Sequence, residues 1–107
     1  MSRPDVKGVD LDAESRCRHY RSPRDIVAIR MRCCGVHYAC KDCHEALADH
    51  AIAVWPRSEW DQPAALCGVC GHEMSVQEYL GCAERCPACA AEFNPGCRHH
   101  HRFYFEM

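Results

Sequence analysis

Cys67-Gly-Val-Cys70 and Cys86-Pro-Ala-Cys89, with residues 71–85 between them, decide how this chain is read. Two cysteines separated by two residues present two sulfurs from one tight turn. Two such turns supply the four corners that a tetrahedral zinc ion occupies, with each sulfur about 2.3 Å away. A cysteine pair with an internal proline also resembles those of thiol oxidoreductases. Here each pair has the other as a ready partner, and the chain shows no thioredoxin-like alternation of strands and helices.

Working outward, Cys40 and Cys43 form a third pair of the same spacing, and Cys17 with His19 form a pair separated by one residue. Cys33, Cys34, His44 and His50 bring the candidates to twelve, the demand of three closed four-ligand sites. The grouping that follows puts Cys17, His19, Cys40 and Cys43 around one ion, Cys33, Cys34, His44 and His50 around another, and Cys67, Cys70, Cys86 and Cys89 around the third. The first two sets interleave along the chain. Adjacent residues such as Cys33/Cys34 or Cys43/His44 more often point to neighbouring ions than to one, so an arrangement in which one of Cys33 and Cys34 serves the first site stays open. Cys82 stands either as a substitute for Cys86 or as a partly buried free thiol. Cys97 with His100 is half of a further site only if His37 or His72 completes it; His99 and His101 are also left over.

The composition says why metal matters. Eleven cysteines and eight histidines among 107 residues inflate a nominal hydrophobic fraction of 48%, while Leu, Ile, Val and Phe are sparse and scattered. A single domain of this size then lacks the burial that would hold it together. A disulfide scaffold is disfavoured by the odd cysteine count, the close spacing of the pairs and the histidines that travel with them. Residues 1–10 carry no apolar run of the secretory type, and no stretch approaches the roughly 18 apolar residues of a membrane span, so a reducing cytoplasm is the expected compartment.

The formal charge of −2 becomes about −5 once nine thiolates and three zinc ions are counted. That balance disfavours nucleic acid as a partner. Arg16, Arg18, Arg21, Arg24, Arg30 and Arg32 fall in one segment with Asp25 as its one acid; they read as solvated arginines offsetting nearby thiolates in preference to a nucleic-acid patch.

Residues 1–15 read as a flexible polar leader and 16–107 as the domain. A strand is expected over 26–31, a tight turn at Cys33-Cys34-Gly35 and a returning strand over 36–39. A helix follows from Lys41 towards His50, with Asp42 as its cap. A loop surrounds Trp60. Ser75 with Glu78 gives a capping box for a helical turn over residues 76–80, and the tail aromatics fold back on the core. No internal repeat is apparent. The expected architecture is a small irregular α+β zinc-stabilised domain, with short hairpins and short helices around three zinc sites.

Enzyme motifs fail on spacing. His44-Glu45 opens like a zinc-protease motif, but position 48 is alanine and His50 is misplaced. A zinc deaminase needs its proline before a cysteine pair, whereas Pro87 lies inside one, and Glu73 directly follows His72.

Cys17-Arg-His-Tyr20, Cys33-Cys34, Tyr38-Ala-Cys-Lys-Asp-Cys-His44, His50, Trp55-Pro56, Leu66-Cys-Gly-Val-Cys70, Tyr79, Cys86-Pro-Ala-Cys89, Phe93-Asn-Pro-Gly-Cys97 and Tyr104-Phe105 together resemble the CHY-type zinc finger family. The resemblance covers nearly the whole chain after the leader and implies a fold with three zinc ions. Some members of that family precede a RING in ubiquitin ligases; no RING is present here, so ligase activity is not carried over. The chain is more similar to the short stand-alone type, which includes a fungal mitochondrial import helper associated with zinc and thiol redox handling. The resulting expectation is a non-enzymatic zinc-binding protein that acts as a protein-interaction module, with zinc/thiol redox handling as the alternative. No catalytic residue, small-molecule substrate or membrane partner is expected, and the protein partner is unknown.

Overall fold

The computed structural model describes residues 6–12, 14–19, 23–82, 84–94 and 101–106. In chain order the elements are β1 (Val6–Lys7), β2 (Val27–Arg30), β3 (His37–Tyr38), α1 (Lys41–Leu47), a 3-10 turn (Arg57–Glu59), β4 (Pro63–Cys67), β5 (Glu73–Ser75) and α2 (Val76–Leu80). The strands form one mixed sheet in the order β1-β3-β2-β4-β5. This is the zinc-stabilised α+β architecture expected from the sequence.

β2 and β3 make the expected hairpin, with Ile29 opposite Tyr38 and Arg30 opposite His37. Its turn closes through the Met31 N–H to Val36 O (2.9 Å) and the Gly35 N–H to Met31 O (2.7 Å). Gly35 sits at φ 71°, a left-handed conformation that costs glycine nothing. The tip of this hairpin carries Cys33 and Cys34, and its far end delivers Cys40.

β4 lies antiparallel to β2, placing Cys67 opposite Val27, and β5 returns along β4. These two strands went unread in the sequence because Ala64-Ala-Leu66 and Glu73-Met-Ser75 are too short to show an alternating pattern. The core built on this sheet has few aliphatic members, Ile26, Ile29, Met31, Leu66, Met74 and Val76, joined by the aromatics Tyr38, Trp55, Tyr79, Phe93, Tyr104 and Phe105 and packed with Ala28, Ala64, Ala65 and buried cysteines. The tail aromatics do fold back. The Trp55 N–H bonds Tyr104 O and the Glu106 N–H bonds Trp55 O, both at 2.8 Å, and Phe105 is fully buried.

Four local readings differ from the structure. Residues 6–12 belong to the fold: β1 pairs in parallel with β3, and Val9 and Leu11 pack against the core. Polar composition hid this, because two strand residues and two apolar side chains suffice when the partner edge already exists. The cap of α1 is Cys40, whose Sγ accepts the Cys43 N–H at 3.3 Å, while Asp42 pairs with Lys41 Nζ at 3.0 Å. α1 stops at Leu47 and the chain extends at Ala48 (φ −90°, ψ 158°), short of His50. Six residues along a helix are about 240° around its axis, so a continuous helix would turn His50 away from His44. Finally, the two cysteine turns are structural repeats of each other, described next. Ser75 caps α2 as expected, its Oγ accepting the Glu78 N–H at 3.0 Å, while the Glu78 carboxylate meets His72 at 3.4 Å.

Candidate metal centres

The two pairs from which the reading began fold into equivalent knuckles. In the first, the Gly71 N–H bonds Cys67 O at 2.8 Å and the Cys67 N–H bonds His72 O at 3.0 Å. In the second, the Ala90 N–H bonds Cys86 O and the Cys86 N–H bonds Ala91 O, both at 2.9 Å. The flanking strand pairs match as well, Leu66 with Glu73 and Arg85 with Glu92. The residue after each second cysteine is left-handed, Gly71 at φ 80° and Ala90 at φ 65°. This repeat was legible in outline, since Cys67, Cys70 and Glu73 align with Cys86, Cys89 and Glu92, but the residues between them share too little chemistry to announce it.

The knuckles bring Cys67, Cys70, Cys86 and Cys89 together, with Sγ–Sγ distances of 3.8 Å (Cys67–Cys89) and 3.7 Å (Cys70–Cys86). At the other end of β3, the start of α1 places Cys40 and Cys43 beside Cys17 and His19. Cys17 Sγ lies 3.6 Å from Cys40 Sγ, and His19 Nδ1 lies 3.7, 3.5 and 3.5 Å from the sulfurs of Cys17, Cys40 and Cys43. The third group joins the β2–β3 tip to α1: Cys33 Sγ is 3.9 Å from Cys34 Sγ and 3.4 Å from His44 Nε2, which is 3.2 Å from His50 Nε2. Within each of the three groups all four donor atoms fall within 4.8 Å of one another. Adjacent Cys43 and His44 go to different groups, as a step of about 100° around a helix requires. Adjacent Cys33 and Cys34 share one group, their sulfurs meeting at the hairpin tip.

These spacings test whether zinc fits. Bonds of about 2.3 Å to sulfur and 2.0–2.1 Å to nitrogen at tetrahedral angles imply donor separations of about 3.8 Å for S–S, 3.5 Å for S–N and 3.3 Å for N–N. The nine separations given above lie within a few tenths of an ångström of these values, and the remaining donor pairs stay within 4.8 Å. A disulfide would bring sulfurs to about 2.05 Å, and the described cysteines are all free. Donor sets of thiolate and imidazole without carboxylate suit zinc.

The electrostatics ask for a cation. Burial is the main force pushing the thiols of Cys40, Cys43 and Cys67 up, Cys67 to about 12, and it also raises Cys70. Cys86 goes the other way: burial raises it, but the Cys89 and Ala88 N–H groups aimed at its sulfur win and hold it down to about 7. A positive ion at the centre of each group is what turns such packed thiols into thiolates. Backbone donors assist, with the Val9 N–H 3.4 Å from Cys43 Sγ and the Ala88 N–H 3.4 Å from Cys86 Sγ. The Val9 donor had no signal in the sequence, because nothing local predicts which backbone N–H an edge strand will deliver.

Residues left over from these groups find other partners. Cys82, half-buried, donates to Tyr79 O at 3.0 Å. His72 meets Glu78 at 3.4 Å, and buried His37 meets Glu73 at 3.6 Å. His101 packs edge-on against Tyr79. Cys97, His99 and His100 lie outside the described residues. Arg16 holds Asp12 and Glu14, Arg30 lies over the Trp55 ring, and Arg32 pairs with Glu59, so these arginines are engaged within the chain.

Residues 17–93 match the family model described as the CHY zinc finger. The chain belongs to the CHY zinc finger family. As a member, and with three donor groups of zinc-like spacing, it is a zinc-binding protein with places for three zinc ions. It is 39% identical over 105 residues to the Helper of Tim protein 13 of Kluyveromyces lactis, covering 98% of this chain and 91% of that one. It is 38% identical over 104 residues to the protein of that name from Saccharomyces cerevisiae, covering 94% and 90%. An uncharacterised protein of Schizosaccharomyces pombe is 38% identical over 105 residues, covering 98% and 92%. No described helix of this CHY zinc finger is long and apolar enough to cross a membrane.

Proposed function

We propose that Cys17, His19, Cys40 and Cys43, then Cys33, Cys34, His44 and His50, then Cys67, Cys70, Cys86 and Cys89 each hold one structural zinc, and that the surface so fixed serves as a non-enzymatic protein-interaction module. The observation that carries this reading is the set of donor separations, close to those of three four-coordinate zinc ions. Four protein ligands leave a tetrahedral ion no position for water or substrate, which favours structure over catalysis. A protein partner also suits relatives whose printed name makes them helpers of another protein. Thiolate sites need reduced cysteines, so a compartment that keeps thiols reduced, the cytoplasm first among them, fits the chemistry.

The second reading, zinc or thiol handling, has one observation in its favour: Cys34 and His50 of the middle group and Cys70 and Cys89 of the last are exposed, within reach of an exchanging thiol. A single experiment separates the two. Zinc per chain is measured by native mass spectrometry before and after mild treatment with glutathione disulfide, with a thiol count alongside. Three zincs retained support the interaction module. Loss of one zinc with formation of one disulfide moves thiol handling ahead, and no zinc with paired cysteines overturns both.

A further inference from the structure

The two histidines of the middle group are held in different ways. His44 stands on α1, is 1% exposed, and packs edge-on against Tyr38 with ring centroids 4.9 Å apart. Burial and this packing hold its ring. His50 follows the end of the helix, lies on irregular backbone and leaves 36% of its side chain in solvent. Its Nε2 faces His44 Nε2 at 3.2 Å, and its Nδ1 lies 3.0 Å from Asp49 Oδ1. A neutral imidazole offers a lone pair on one nitrogen and a proton on the other, so whatever accepts that proton's hydrogen bond decides which nitrogen faces the metal.

We propose that Asp49 is a positioning residue for the middle metal site: by accepting the Nδ1–H of His50 it aims Nε2 at the ion and slows the ion's departure. The inference rests on Cys33, Cys34, His44 and His50 being zinc ligands, as set out above. The surroundings of Asp49 leave it little else to do. Its side chain is fully exposed and so adds nothing to the core. It also lies just past the C-terminal end of α1, where a negative charge opposes the helix dipole, so a role in folding alone predicts that its removal is neutral or mildly stabilising. The positioning role predicts the opposite sign, and only for one of the three ions.

The test uses the full chain loaded with three zincs and follows their transfer to an excess of a chromogenic chelator. In Asp49→Ala one zinc leaves about 10- to 100-fold faster, the usual scale for loss of an outer partner of a ligating histidine. The other two keep wild-type rates, and the thermal melt of the zinc-loaded protein falls in step with the weakened middle ion instead of holding or rising. Asp49→Asn, whose Oδ1 still accepts the hydrogen bond without the charge, falls nearer to wild type. Cobalt substitution adds an independent readout, with the ligand-field bands of one site altered in Asp49→Ala. His50→Ala serves as the reference and loses the middle ion. Wild-type release kinetics in Asp49→Ala, or equal acceleration of all three ions, overturns the positioning role while leaving the ligand assignment intact. Three tightly held zincs in His50→Ala overturn the ligand assignment and the proposal with it.

Discussion

Ala90 stands where its structural counterpart is Gly71, in a left-handed conformation at φ 65°. An L-residue with a Cβ pays roughly 1–2 kcal/mol there, whereas glycine is free of that strain and loses somewhat more chain entropy on folding. Ala90→Gly therefore stabilises the zinc-loaded protein by up to about 1 kcal/mol, read as an increased midpoint in denaturant at fixed free zinc; a lowered midpoint would contradict the strain. Thiol chemistry makes a second prediction at this scale. With Cys67 pushed up to about 12 and Cys70 also raised, both release protons whenever the knuckles load zinc near neutral pH. Cys86, held down to about 7, joins them only below that value. Zinc affinity of this site thus falls as pH falls, and more steeply below about pH 7 than above it. Calorimetry in buffers of different ionisation enthalpy counts the protons, and a count that stays constant from pH 6 to 8 would refute the assignment to Cys86.

Among the elements, α1 bears most of the positional demand, since it supplies Cys43 to one site and His44 to the next. Its N-terminal Lys41 N–H donates to Tyr104 Oη at 2.8 Å, tying the helix start to the tail. Tyr104→Phe keeps the ring and removes the acceptor, so it costs about 1–2 kcal/mol in denaturant unfolding, with the zinc count unchanged. β1 works on the same region from the other side. Deleting residues 1–15 removes the strand that pairs with β3 and the Val9 N–H that points at Cys43 Sγ. The expected result is a less stable protein that releases its Cys17/His19/Cys40/Cys43 zinc faster to a chelator, while the Cys67/Cys70/Cys86/Cys89 zinc keeps its rate. Equal rates for both ions would show that β1 is dispensable to the site.

For the molecule as a whole, magnitudes decide what holds the fold. A structural zinc contributes about 10–16 kcal/mol in small zinc-finger peptides at neutral pH, whereas a whole domain is typically stable by only about 5–15 kcal/mol. With a core as thin as this one, removal of all three ions exceeds the available margin. A strong chelator at neutral pH under reducing conditions should therefore abolish the far-ultraviolet circular dichroism of the sheet, and added zinc should restore it. A metal-free chain that keeps native circular dichroism and a cooperative melt would sink the view that metal replaces core.

The sequence by itself determined the chemistry: paired cysteines and histidines at ligand spacing, too few large apolar residues to fold without them, a hairpin marked by Gly35 and a helix cap at Ser75. These signals are local, and local chemistry is written in consecutive residues. The ligand pairs could be grouped from their spacing, but one of Cys33 and Cys34 stayed open to the first site, and tertiary structure closed that choice. Cys33 and Cys34 joined His44 and His50 because α1 ends at Leu47 and sends His50 back. Residues 6–12 joined the sheet because the β3 edge was open to them. The two knuckles matched through backbone hydrogen bonds that their unlike side chains do not advertise. Ligand spacing says which residues can share an ion, whereas the backbone that brings them together depends on where distant segments cross.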